Sequence, residues 1–434
     1  MGLRKHLSAD GLINLVRHSV RKAKLKELNS DYSWQDCIMS GLAIFGFKCP
    51  SLLQFEKRVN EDKGLRRNLK SLYGVNNLPS DTTLRERLDV VDHSHVFRRP
   101  FKTIFAYLQR GKMLEPYRYL DNHYIISLDG TGQFSSEQVH CVNCCEKHHR
   151  DGTVSYYHHM LGAALVHPDH KVVIPLAPEP IVKGDGDTKN DCERNASKRL
   201  LTDLRREHPH LKILIVEDGL ASNFPHLSLL DSLKMNYIIG VKPGDHKYLF
   251  NHISTLTPVT YHQKDDKNTE HTFECYSNVP LNAVNHTYRV NVMVYTEKKA
   301  SGKVQRFSWV TKIEITKENV YQMMRAGRSR WRIENETFNT LKNQGYNFEH
   351  NYGHGKKNLC SVMTMLMLLA FLIDQVQQLC CSAYQKARKK AGTFIELFEF
   401  ARSLIKLFAW ESFYQMWIFI GDPDNRAPPS EIVR

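Results

Sequence analysis

The sequence predicts an α/β fold: a mixed sheet with an all-β insertion, flanked by helical N- and C-terminal regions. Three observations support this class. Apolar strands alternate with helical segments between residues 116 and 242. Residues 243–317 lose the helical periodicity and alternate apolar with polar side chains. Residues 1–115, 318–378 and 379–434 show apolar side chains at helical spacing.

The N-terminal 115 residues hold most of the basic excess of the chain, so we expect a helical DNA-binding region there. Ser80 or Asp81 stands as an N-cap ahead of an amphipathic run that ends at Leu88. An ordinary solvated helix is the simpler interpretation of this run. A recognition helix that contacts DNA is the functional one.

Composition and charge narrow the class of protein. The 434 residues include 60 Lys and Arg against 46 Asp and Glu, a net charge of +14 that attracts polyanions, nucleic acid first. Hydrophobic residues make up 41% and charged residues 24%, which excludes a disordered chain. The apolar run 362–373 is shorter than the ~20 residues that span a bilayer, so we expect a buried core helix and no membrane partner. No apolar signal-peptide segment follows the first residues, which predicts a cytoplasmic protein.

Three carboxylates stand at positions typical of a site. Asp129 and Asp218 each follow an apolar strand and precede a glycine, and Glu334 lies on a helix rich in arginine. Strand ends of an α/β sheet meet at one edge, so two strands and one helix can bring the three acids together. Grouped carboxylates repel one another unless a cation such as Mg²⁺ neutralises them. The alternative is that each Asp-Gly pair is only a turn.

Three sequence blocks carry a family resemblance. Leu128-Asp129-Gly130-Thr131, Glu217-Asp218-Gly219-Leu220 and Arg330-Trp331-Arg332-Ile333-Glu334 resemble the catalytic blocks of the DDE transposases of bacterial insertion sequences, in the branch with a β-rich insertion before the catalytic glutamate. The resemblance implies an RNase H-like fold and two Mg²⁺ or Mn²⁺ ions bound by Asp129, Asp218 and Glu334 as catalytic residues. It implies cleavage at terminal inverted repeats, joining of the freed 3′-hydroxyl to target DNA, and a homodimer in the active complex.

The third block departs from the family pattern in two places. Gly327 stands where the family has a tyrosine, and Lys342 lies eight residues after Glu334 where seven are expected. Glu336 is therefore a rival for the third acid. Two residues apart on a helix point ~200° apart, so only one of the two glutamates can face the aspartates. The Arg-Trp-x-Ile-Glu match favours Glu334.

Basic residues surround this block. We expect Arg328, Arg330, Arg332 and Lys342 to hold DNA phosphates, the alternative being a solvated helix face. Trp309 lies in the last strand of the insertion, and we expect it in the core rather than stacked on a DNA base. Two other functions stay open: a metal-dependent nuclease without strand transfer, and a non-catalytic zinc-containing DNA-binding protein derived from a transposase.

A second group of metal-ligand residues lies in the connection after the first core strand. Cys141 and Cys144 have the Cys-x-x-Cys spacing of a zinc knuckle, and His148 or His149 supplies a third ligand, for which we choose His148. Seven of the 22 histidines fall between His140 and His170, which favours Zn²⁺ over free thiols and surface histidines. The candidates for a fourth ligand are Cys145, His158, His159 and Cys192.

Overall fold

The computed structural model describes residues 5–23, 25, 31–186 and 189–429. Its N-terminal region is helical, as predicted, with helices α1 (Ala9–Lys22), α2 (Trp34–Gly46), α3 (Leu52–Glu61), α4 (Lys63–Tyr73), α5 (Asp81–Asp89) and α6 (His93–Arg110). Four of these helices are capped by a serine hydroxyl that accepts a backbone N–H of the first turn. The capping residues are Ser8, Ser33, Ser51 and Ser80. The predicted start of the helix that runs to Leu88 is thus confirmed, and Ser80, not Asp81, is its cap.

One sheet of twelve strands forms the centre of the molecule. Its first strands are β1 (Arg118–Tyr119), β2 (His123–Ser136), β3 (Cys145–His148), β4 (Val154–His167), β5 (His170–Pro175) and β6 (Glu179–Ile181). Helix α7 (Lys189–Glu207), β7 (Ile213–Glu217), α8 (Phe224–Ser232) and β8 (Asn236–Gly240) follow. All five residues of β7 are buried, as expected for a strand paired in parallel on both sides.

The strand order is β3-β4-β2-β7-β8, with β4 antiparallel to β2 and with β7 and β8 parallel to it. The segment 243–317 continues this sheet with an antiparallel meander. It contains β9 (Val259–Lys264), β10 (Glu270–Pro280), β11 (Arg289–Lys298) and β12 (Val304–Thr311), and β12 pairs with β8. The predicted all-β segment also begins with a short helix, α9 (Lys247–Ile253), which the alternation of apolar and polar residues did not indicate.

The chain then returns to helix. Helix α10 (Val320–Arg328), a π-helical stretch (Ile333–Phe338) and α11 (Asn339–Asn343) precede α12 (Leu359–Cys380), α13 (Ser382–Ala391), α14 (Phe394–Leu407) and α15 (Phe413–Gly421). Helix α12 is long and apolar enough to cross a membrane, but 89% of its most apolar stretch is buried inside the protein. It packs on α2, α5 and α6 and on β5, so it is the core helix that the sequence predicted. The N- and C-terminal helices therefore share one core.

Candidate active site and a cysteine–histidine cluster

Asp129 and Asp218 lie at the same level of two neighbouring strands. The parallel ladder between β2 and β7 ends with Ser127 opposite Val216, so each aspartate stands two residues beyond the last pair. Asp129 does not end its strand, however, because β2 continues to Ser136 through its pairing with β4. The predicted strand end at Asp129 is therefore wrong for the pairing with β4, which continues past this residue. It holds only for the pairing with β7.

The two aspartates open into one cleft of about 370 Å³. Burial raises the pKa of Asp129, the Arg330 guanidinium opposes that shift, and the charges of Asp218 and Glu334 raise the pKa further. Arg330 Nη1 lies 3.1 Å from Asp129 Oδ2. Asp218 Oδ1 accepts the Leu220 N–H at 3.0 Å, which fixes its carboxylate at the start of a short 3₁₀ turn. Hard oxygen donors that repel one another in a partly buried cleft suit a divalent cation.

The two rival glutamates, Glu334 and Glu336, have different surroundings. The negative charge of Glu334 reaches the Asp129 carboxyl. Glu336 instead pairs with Arg332, one turn before it, at 2.9 Å. The hydroxyl of Ser127 donates to the Arg330 carbonyl at 3.0 Å, which ties the start of this helix to β2 beside Asp129. These contacts support Glu334 as the third acid.

The π-helical stretch accounts for the spacing of Lys342. A π turn closes hydrogen bonds over five residues instead of four and so accommodates one more residue in the same turn. Because this stretch, Ile333–Phe338, contains Glu334 and ends four residues before Lys342, we expect the eighth residue after Glu334 on the helix face that the seventh has in a regular α-helix. The π-helical stretch thus accommodates the additional residue between Glu334 and Lys342.

Gly327 has a steric reason for replacing the tyrosine of the family pattern. A Cβ at this position would lie 2.7 Å from the Trp309 indole, which packs on the helix backbone there. Trp309 is 6% exposed and stacks on Phe307 with ring centroids 5.9 Å apart. The expectation of a core tryptophan is therefore confirmed, and its indole excludes a larger side chain at residue 327.

Gly162, directly opposite Asp129 in the ladder, allows the helix that carries Glu334 to lie close to β4. A Cβ there would come within 2.9 Å of the Phe338 ring. We expect Gly162→Ala to lower the free energy of unfolding by about 1–3 kcal/mol through overpacking, measured by urea unfolding. Gly184→Ala is the matched control, because no heavy atom lies within 4 Å of its Cβ position. Equal stability of the two variants would contradict the close packing.

The four predicted DNA-binding cations each face a carboxylate of the protein. Arg328 pairs with Glu297 of β11 at 2.6 Å, and Lys342 pairs with Glu349 at 2.9 Å. Arg330 and Arg332 pair with Asp129 and Glu336 as described. The Lys342, Arg328 and Arg332 side chains keep a quarter to a third or more of their surface exposed, so DNA phosphates can compete for them.

A second group of candidate ligands converges about the connection between β2 and β3. Cys141, Cys144, His158 and His354 place one ligand atom each within 4.8 Å of all the others, the one such group of three or more ligand residues within the described ranges. His158 was among the predicted candidates. His354 was missed, although its place between Gly353 and Gly355 signals a tight turn that can aim a side chain inward.

His148 does not belong to this group, and its choice as zinc ligand is wrong. It ends β3, whose pairing with β4 carries the side chain outward. Its side chain is 74% exposed and its Nε2 lies 3.6 Å from Glu146. Cys145 lies elsewhere too, with its Sγ directed at the Ile181 carbonyl at 3.8 Å. An extended strand points alternate side chains to opposite faces, whereas the knuckle prediction assumed one more turn.

Comparison with known proteins agrees with this arrangement. The family model described as the transposase DDE domain matches residues 178–372, a range that includes Asp218 and Glu334. No curated protein matches the chain. The mixed sheet and this match confirm the predicted fold class. Residues 178–372 are therefore similar to the DDE domain of transposases.

Proposed function

We propose that this protein is a DDE transposase that cleaves the ends of its transposon and joins the freed 3′-hydroxyl to target DNA. The observation that carries the proposal is the placement of Asp129 and Asp218 at one level of neighbouring strands, with the charge of Glu334 reaching Asp129. The DDE domain match supports DNA as the substrate. Terminal inverted repeats, a homodimeric active complex and a cytoplasmic location belong to this proposal.

Two Mg²⁺ or Mn²⁺ ions belong to it as well, held by Asp129, Asp218 and Glu334. When bound, such a pair of ions activates the attacking oxygen and stabilises the charge that develops at phosphorus. The carboxylates supply oxygen ligands on a rigid sheet edge. Arg330 Nη1 lies 3.1 Å from Asp129 Oδ2 and neutralises that acid. If a metal cation took over this role, the Arg330 guanidinium would be placed to move toward a DNA phosphate. For the cysteine–histidine cluster we propose Zn²⁺.

The test is a strand-transfer assay. The full chain is incubated with Mg²⁺ and a labelled DNA carrying the sequences that flank its reading frame, together with a plasmid target. Joined products support the proposal. Cleaved ends without joined products would instead favour a nuclease, and DNA binding without cleavage would favour a zinc-containing DNA-binding protein, an alternative that the cysteine–histidine cluster keeps open.

DNA binding is expected to weaken steeply with salt, because we propose that Arg328, Arg330, Arg332 and Lys342 contact phosphates. These four contacts alone predict a loss of affinity of about 100-fold between about 50 and 200 mM salt, and contacts made by the expected DNA-binding region 1–115 would add to it. Arg332→Gln should reduce the slope of log affinity against log salt by about one. Lys390→Gln, on the C-terminal helix α13, is the matched control and should leave the slope unchanged. Fluorescence anisotropy measures both, and an affinity independent of salt would refute these contacts.

A further inference from the structure

Five of the six distances within the cysteine–histidine cluster lie within about 0.5 Å of the edges of a zinc tetrahedron. Zinc bond lengths predict about 3.8 Å between two sulfurs, about 3.6 Å between sulfur and nitrogen, and about 3.3 Å between two nitrogens. Cys141 Sγ lies 3.9 Å from Cys144 Sγ, and each sulfur lies 3.4 Å from His158 Nε2. His354 Nε2 lies 3.1 Å from Cys144 Sγ and 3.2 Å from His158 Nε2.

The four ligands come from three separate segments of the chain. Cys141 and Cys144 lie between β2 and β3, His158 lies on β4, and His354 lies in the segment 344–358 that joins α11 to α12. We propose that one Zn²⁺ bound by these four side chains fastens segment 344–358 to the sheet, and so fixes the chain that leaves the catalytic helix. This inference rests on the proposal of zinc in the cluster, and it adds the fastening role.

The surroundings of the cluster favour zinc over the magnesium of the acidic site. Two thiols and two imidazoles are the ligands of closed structural zinc sites, whereas Mg²⁺ takes oxygen ligands. Cys144, His158 and His354 are buried. His354 Nδ1 lies 3.0 Å from the Gly355 carbonyl, to which it donates, so its Nε2 is left as the lone-pair nitrogen that faces the cluster.

The backbone around His354 brings its imidazole to the sheet. Gly353 and Gly355 have φ angles of +115° and +70°, a conformation that favours glycine on both sides of the ligand. A Cβ at Gly355 would lie 2.3 Å from Asp89 Oδ1, because the segment passes directly over that carboxylate. The turn thus has room for no larger residue there.

The other contacts of the segment show what zinc would add. On the helical side, the Asp89 carboxylate accepts backbone N–H groups from the four residues 356–359 at 2.9–3.0 Å. On the sheet side, Asn143 Nδ2 donates to the Lys357 carbonyl at 2.9 Å. Without a metal, the contacts on the sheet side include this exposed hydrogen bond, the contacts among the ligand side chains, and the Phe134 ring, whose centroid lies 4.6 Å from that of the His354 ring. A bound ion would attach the segment to the sheet about as strongly as Asp89 attaches it to the helices.

The first experiment measures zinc in the purified full chain by elemental analysis. We expect one zinc ion per chain, lost in Cys144→Ser and His354→Ala and kept in the matched control His148→Ala. His354→Cys should keep the zinc, because a thiolate also binds it. After exchange of zinc for Co²⁺, the absorption of tetrahedral cobalt should differ between this variant and the parent. Absence of zinc from the parent chain, or its loss in His148→Ala but not in His354→Ala, would overturn the assignment.

The second experiment tests the fastening role by hydrogen exchange on the intact chain, with zinc and after its removal by a chelator. Amides in segment 344–358 should exchange at least about tenfold faster without zinc, while the buried strand β7 keeps its protection. Unchanged exchange in the segment, or equal loss of protection in β7, would refute a local fastening role. Neither experiment uses DNA, so failure of the strand-transfer assay would leave both results interpretable.

Discussion

We expect Asp129→Asn and Asp218→Asn to lower the rate of metal-dependent DNA cleavage by about 10³-fold or more. A metal ion stabilises the charge that develops at phosphorus by several kcal/mol, and each ~1.4 kcal/mol changes the rate tenfold. Each substitution replaces a charged oxygen ligand by a neutral amide of the same shape, so the fold should survive. The measurement is single-turnover cleavage of labelled end DNA with Mg²⁺, together with a circular dichroism spectrum of each variant.

The two glutamates provide the internal comparison for this prediction. Glu334→Gln should lower the cleavage rate as far as the aspartate variants do. Glu336→Gln should change it only a few-fold, because Glu336 pairs with Arg332 at 2.9 Å, whereas the charge of Glu334 acts on Asp129. The reverse order of effects would show that Glu336 is the third acid. Full activity of Asp129→Asn would remove the acidic site from the mechanism.

The second large effect is expected at a buried lysine. Lys48 follows α2, its side chain is 1% exposed, and its Nζ lies 2.8 Å from Asp374 Oδ2 of α12. The rings of Tyr346 and Phe398 lie 4.2 Å from the same ammonium group. Burial lowers the pKa of Lys48, and the Asp374 charge opposes that shift. This ion pair therefore joins the N-terminal helices, α12 and the segment that follows the helix carrying Glu334.

Lys48→Met should lower the free energy of unfolding by about 3–5 kcal/mol, because it leaves the Asp374 carboxylate, only 14% exposed, without its cation. The double variant Lys48→Met with Asp374→Leu should recover most of this loss, since no unpaired charge remains. Urea unfolding followed by tryptophan fluorescence and circular dichroism measures both. Lys57→Met is the matched control: its pair with Glu61 is 4.0 Å long with both side chains largely exposed, and the change should stay within about 0.5 kcal/mol. A stable single variant would contradict the prediction.

The order of helices and strands could be predicted from the sequence because it rests on local periodicity. Strand β7 is a continuous apolar run, and α5 begins at a serine cap, so neighbouring residues alone identify them. The end of β2 could not be found in this way, since its pairing with β4 continues past Asp129. Helix α9 was also missed, because its seven residues are too few to show a clear helical period.

The sequence by itself determined which three acids form the candidate site, because an Asp-Gly pair after an apolar run and an arginine-flanked glutamate are recognisable from adjacent residues. Which residues complete the cysteine–histidine cluster was decided only by the tertiary structure. His354 lies 210 residues after Cys144, and the two meet because α11 and the turn at Gly353 bring the chain back over the sheet. His148 lies close in sequence but is carried away by an extended strand. Proximity along the chain predicts a shared site only within one turn or one strand, and beyond that packing decides.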